Sequence, residues 1–171
     1  MKKSILSVIC IFIVIAGLQA QNKTCGSNPV YRQFDFWLGE WEAFGVNGKK
    51  AGDSKITMQL DSCIILEEWT GAGAGNYSGK SYNTYNVTTK KWQQYWVDNK
   101  GGITEYFDGH FEKDKMILQT YNLKMPNGSD KIMKMTFFNL GPKKVRQFGE
   151  SSSDKGKTWK TDFDLEYRRK G

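Results

Sequence analysis

Glu67, Arg146 and Glu150 are the side chains of this sequence whose type and surroundings suit proton or charge chemistry in an apolar setting. Glu67 stands two residues before Trp69, Gln94 stands between Trp92 and Trp96, and Arg146 and Glu150 share one face of a β-rich run. Spacing by two is the strand period, so each of these polar groups travels with bulky apolar neighbours. A carboxyl in an aromatic, poorly hydrated pocket titrates higher than usual, which lets Glu67 or Glu150 act as a general acid or base, with Arg146 stabilising developing negative charge. Without chemistry, the set Glu67, Trp69, Gln94, Trp96, Arg146 and Glu150 would hold the polar group of a small, partly apolar ligand against an aromatic wall. Both readings require the side chains to face inward, where unpaired charge is costly, and a strand slip of one residue turns every face around. The alternative is that they face solvent or form structural ion pairs.

Other chemistries have little to work with. The chain of 171 residues has one His and three Cys, which leaves no His-rich or multi-Cys metal site and one imidazole, His110, for any triad. No metal and no cofactor are expected. Ala74 to Ser81 carries the letter spacing of a relaxed phosphate loop, but the sequence after it is β-rich, and phosphate binding needs a helix to open there. Gly71 to Asn76 reads as a hairpin loop, with a lid as the sharper alternative.

Met1-Lys2-Lys3, an apolar run from Ile5 to Leu18, and Gln19-Ala20 before polar Gln21 have the layout of a secretory signal peptide over residues 1–20. Its removal takes away two lysines and no acid, leaving 23 basic and 18 acidic groups. The remaining cations come mostly in pairs at turns (Lys49-Lys50, Lys90-Lys91, Lys143-Lys144), a pattern that blunts sheet edges and fits no nucleic-acid surface. The expectation is an exported protein, periplasmic or secreted, with no membrane segment after cleavage. Cys25 and Cys63 are then the two cysteines left in an oxidising compartment, and they predict one disulfide pinning an N-terminal arm, residues 21–33. Closing that loop would contribute roughly 3 to 4 kcal/mol.

The elements that must position these groups are strands. Ten runs follow a short helical turn at Tyr31 to Leu38: Trp41 to Val46, Ser54 to Leu60, Cys63 to Thr70, Ser78 to Tyr85, Lys91 to Asp98, Ile103 to Phe111, Lys115 to Asn122, Lys131 to Asn139, Lys144 to Glu150 and Thr158 to Arg168. Asn47-Gly48, Lys100-Gly101-Gly102, Asn127-Gly128 and Asp154-Lys155-Gly156 supply tight turns between them, so consecutive strands should pair antiparallel. Lys91 to Asp98 is bulky on both faces, whereas the last run alternates Trp159, Thr161, Phe163, Leu165 and Tyr167 with charged residues. Ten meandering strands would leave two open edges unless they closed, and a ten-stranded closure is wide enough for a cavity. The expected class is all-β, an up-and-down barrel over residues 34–171.

Phe34-Asp35-Phe36-Trp37-Leu38-Gly39-Glu40-Trp41, a helical turn leading into Gly-x-Trp, resembles the opening motif of lipocalin-like, calycin-type barrels. Together with Glu67-x-Trp69, Trp92 to Asp98 and the Glu150 to Trp159 segment, it is similar to a family of secreted bacterial lipocalin-like proteins of unknown function, and more distantly to nitrobindin-type barrels. The resemblance implies that Gly39 and Trp41 are structural and that Arg168 or Arg169 covers Trp41 at the barrel base. Nitrobindin-type proteins hold haem through a His near the C-terminus, and His110 lies mid-chain, so haem is not expected. The resemblance supports carriers and enzymes alike. The first reading is therefore an exported small-molecule-binding barrel, and the alternative is an isomerase, hydratase or hydrolase using a buried Glu. A third possibility is an interaction protein whose six Trp, ten Phe and eight Tyr simply fill the interior.

Overall fold

The computed structural model describes residues 24–171, so the signal-peptide reading of residues 1–20 lies outside the described residues. Eleven strands follow three short 3-10 turns: β1 Gly39–Gly45, β2 Lys50–Gln59, β3 Ile64–Gly71, β4 Ser78–Asn86, β5 Lys91–Asp98, β6 Ile103–Glu112, β7 Lys115–Gln119, β8 Leu123–Lys124, β9 Asp130–Asn139, β10 Lys144–Ser152 and β11 Lys160–Arg169. All pairings are antiparallel, each strand from β1 to β7 bonds to the next, and β7–β9, β9–β10, β10–β11 and β11–β1 complete the circle. Ten strands thus close an up-and-down barrel of lipocalin-like, calycin-type architecture. The two-residue β8 pairs only with the start of β9. Closure leaves no long sheet edge open to pair with another chain.

The ten expected runs are all present with some ends moved: β2 starts at Lys50 rather than Ser54, its first residues pairing with Phe44 to Glu42 of β1 straight after the Asn47-Gly48 turn, and two further differences are local. The run expected to reach Asn122 ends at Gln119, because Thr120 diverts the ladder: its N–H donates to Met133 O at 2.9 Å while its hydroxyl accepts from Met133 N at 2.9 Å. The run expected to start at Thr158 starts at Lys160, since Thr158 belongs to a loop organised by Asp154, which accepts from the Thr158 hydroxyl, the Thr158 N–H and the Ser152 hydroxyl. A bulge between Gly149 and Glu150 then pairs Phe163 with Gly149 but Thr161 with Glu150, skipping Asp162. The alternation from Trp159 to Tyr167 is therefore broken. Phe163, Leu165 and Tyr167 face inward, whereas Trp159 lies beneath Lys134 Nζ, 4.0 Å from its ring centroid.

One end of the barrel is plugged. The turns Cys25–Ser27, Pro29–Arg32 and Asp35–Trp37 fold across it and send Phe34 and Trp37, both fully buried, among Trp92 and Phe137, with Phe34 stacked on Trp37 at 5.0 Å and Trp37 at 4.5 Å from Phe137. Trp41 Nε1 donates to Trp37 O at 2.8 Å, fixing the plug to β1. Arg169 is the residue that covers Trp41, its guanidinium 4.3 Å from the ring and donating to Leu38 O and Pro142 O; Arg168 lies instead over Phe44. Gly39, at φ 127°, makes room for that strap, since a Cβ there would meet the guanidinium. The Cys25–Cys63 disulfide ties the first turn to the start of β3, and Arg32 adds a hydrogen bond to Ser62 O in the same corner.

Candidate functional site

Toward the opposite end the packing stops short of filling the barrel. A cavity of about 290 Å³ is lined near its mouth by Trp69, Tyr77, Trp96, Thr104, Met133 and Phe163, and deeper by Glu67, Gln94, Tyr106, Met135, Gln147, Leu165 and Tyr167. A wholly filled interior is thereby set aside. The wall is kept open by small residues under large ones. Gly52, Gly79 and Gly149 lie where a Cβ would run into the rings of Trp69, Trp96 and Phe163 respectively, so each ring lies back against the strand beside it. At Gly149 the three nearest atoms are all from the Phe163 ring.

Among the described residues Glu67 is the one carboxyl in the lining, and it is 3% exposed. Register explains its company: Glu67 pairs with Ser81 on β4, which pairs with Trp96 on β5, and Trp69 pairs with Ser54 on β2. Ser54 donates to Glu67 Oε1 at 3.0 Å and Ser81 to Oε2 at 2.9 Å. Behind Ser81 the chain continues, with Asn83 Nδ2 donating to Ser81 Oγ at 3.0 Å and Gln94 Nε2 donating to Asn83 Oδ1 at 2.7 Å. On the other side Tyr167 Oη donates to Gln147 Oε1 at 2.6 Å, and Gln147 Nε2 to Met135 Sδ at 2.9 Å. Buried polar groups are thus tied into two short networks that meet at Glu67.

Burial pushes the Glu67 carboxyl up to about 7, against the opposing effect of the Ser81 and Ser54 hydroxyls. Tyr167 also lies within hydrogen-bonding reach of Glu67. Its contact with Glu67 acts with the serine hydroxyls, against burial. Burial and the Glu67 charge raise the Tyr167 phenol well above its usual range, and burial raises Tyr106 as well, so both stay neutral hydroxyls. Among the described residues Tyr106, 5% exposed, makes no side-chain hydrogen bond, leaving its hydroxyl available to the cavity.

Of the residues singled out from the sequence, Glu67, Trp69, Gln94 and Trp96 come together in this wall. Arg146 and Glu150 do not. On β10 the inward positions are Val145, Gln147 and Gly149, so Arg146 and Glu150 point outward. Arg146 makes a two-pronged ion pair with Asp164, 2.8 Å on each side, beneath the rings of Phe138 and Phe148, and Glu150 pairs with Lys134 at 3.0 Å. The aromatic neighbours that suggested an interior for Arg146 are themselves outside, stacked on the guanidinium. Gln147 and Tyr167 were the residues missed. Tyr167 sat on a recognised apolar face, and Gln147 is one position from Arg146, where phase alone decides. His110 is exposed on β6. No family model and no curated protein matches the chain.

Proposed function

We propose that this is an exported carrier or capture protein that holds one small, partly apolar molecule in the barrel cavity. The observation that carries the reading is an aromatic cavity of about 290 Å³ with a single satisfied acid, two amides and a free phenol converging on it. That combination, a mostly apolar wall with a few fixed polar groups, is what small-molecule sites have in common. Export is part of the proposal, supported by the leader-like residues 1–20 and the Cys25–Cys63 disulfide, as is kinship with exported lipocalin-like proteins. Native mass spectrometry of the protein isolated from its own source is the test. A reproducible added mass that is lost on denaturation is expected; a bare chain that also takes up no member of an aromatic small-molecule panel would overturn the reading.

A second reading has its own support: a carboxyl titrating near 7 in a water-poor wall is suited to take and return a proton at neutral pH. On that reading Glu67 is the general acid or base for a proton-transfer, hydration or hydrolysis step on the bound molecule. Once a ligand is in hand, Glu67→Gln separates the two, since a catalyst loses turnover by at least about a hundredfold while a carrier retains its cargo.

A further inference from the structure

We infer that the cavity is built for an organic cation: a ligand with a protonated amine seated on Glu67 and a flat apolar body against the indoles of Trp69 and Trp96. The inference rests on the proposed binding function and names the chemical class of its ligand.

The electrostatics of the cavity are one-sided. Among the described residues that line it, Glu67 is the one acid and there is no Lys, Arg or His. Cations elsewhere in the barrel are taken up on the outer face, as Arg146 is by Asp164 and Lys134 by Glu150. Ser54 and Ser81 each give Glu67 one hydrogen bond, one to each oxygen, an arrangement that orients both oxygens and leaves further lone pairs to accept from a guest. An ionised carboxylate in such a place lacks only a counter-charge, and a buried ion is most strongly stabilised by a partner of opposite sign. An ammonium group supplies it with up to three N–H donors. The surrounding rings suit the same guest, because the faces of Trp, Tyr and Phe attract cations and stack on flat apolar groups. The free Tyr106 hydroxyl offers a second polar contact.

Size narrows the class. A volume of about 290 Å³ holds on the order of ten waters, which suits a single ring with a short amine side chain and excludes long lipids. The net positive charge of the chain does not oppose this, since charges on the outer face are screened within about 8 Å at physiological salt.

Binding must then depend on pH. The groups facing Glu67 from the packed strands are Tyr167 on β11 and Tyr106 on β6, with Tyr77 at the mouth. All three phenols are raised and remain neutral between pH 6 and 8, so Glu67 is the cavity group that changes charge in that range. The amine stays protonated throughout, and affinity rises as Glu67 ionises.

The experiment is calorimetric titration of the purified protein with three molecules of one shape, 2-phenylethylamine, 2-phenylethanol and 3-phenylpropionate, at pH 6 and pH 8. The amine is expected to bind at least tenfold more tightly than the alcohol at pH 8, to weaken about tenfold at pH 6 as the ionised fraction of Glu67 falls, and to lose its advantage in Glu67→Gln. The pH dependence of the unaltered protein provides the readout should that variant fold poorly. Equal binding of amine and alcohol, or preference for the carboxylate, would overturn the cationic ligand while leaving the carrier reading in place. If none of the three binds and a neutral or anionic molecule co-purifies, the same conclusion follows; if none binds and nothing co-purifies, both readings fall.

Discussion

Glu67 links the chemistry of the cavity to the stability of the barrel. In the unfolded chain its carboxyl titrates near 4.5 and in the folded barrel near 7. Between those values the folded state keeps a proton that the unfolded chain has released, so this residue makes the protein less stable as pH rises from about 4.5 to about 7. Above that window the loss is complete, at roughly 3 kcal/mol. Glu67→Gln preserves shape and removes the titration. Thermal melts of the two proteins should therefore differ most at pH 8, where the variant is expected to melt several degrees above wild type relative to their difference at pH 5; parallel curves would mean that Glu67 ionises without penalty. At this scale the sequence was half legible. Strand spacing joined Glu67 to Trp69 and Gln94 to Trp96, because an apolar residue two positions away marks an inward face. It could not place Arg146, whose neighbour Phe148 is apolar and yet outward, held there by the guanidinium itself.

Between neighbouring strands, the glycine-under-ring pairs decide how much room the cavity has. Gly149→Ala puts a methyl where the Phe163 ring now lies, and that ring lines the cavity. The expected result is a smaller cavity and at least a severalfold weaker hold on any ligand, with overpacking costing about 1 to 3 kcal/mol in chemical denaturation. Unchanged affinity would show that the Phe163 side of the wall does not touch the guest. The strands themselves were readable to within a few residues at their ends, since hairpin turns rich in Asn and Gly punctuate runs with a two-residue period. Two of the exceptions share a cause, a side chain taking over a backbone partner, and the third is a shift of register. The Thr120 hydroxyl replaces a ladder acceptor at the end of β7, Asp154 gathers the donors before β11, and the bulge opposite Gly149 swaps the faces of everything ahead of Phe163. Such substitutions leave no periodic trace.

As a whole the molecule has one end made for rigidity and one for exchange with solvent. The disulfide belongs to the rigid end, and replacing Cys25 and Cys63 together by Ser is expected to cost about 2 to 5 kcal/mol of stability while ligand affinity, set at the other end, changes little. Hydrogen exchange should find the loss concentrated in the plug and the start of β3; equal loosening of the mouth strands would show that the two ends are not independent. The closing seam between β1 and β11 has a further consequence, felt before the protein exists in finished form. Trp41 finds Arg169 and Gly45 finds Leu165 across almost the whole length of the chain, so β1 is made among the earliest strands and waits for its second neighbour until the last has left the ribosome. Until then the nascent sheet carries two bare edges, one on β1 and one on β10. The barrel must therefore complete itself after synthesis, slowly and from contacts distant in sequence.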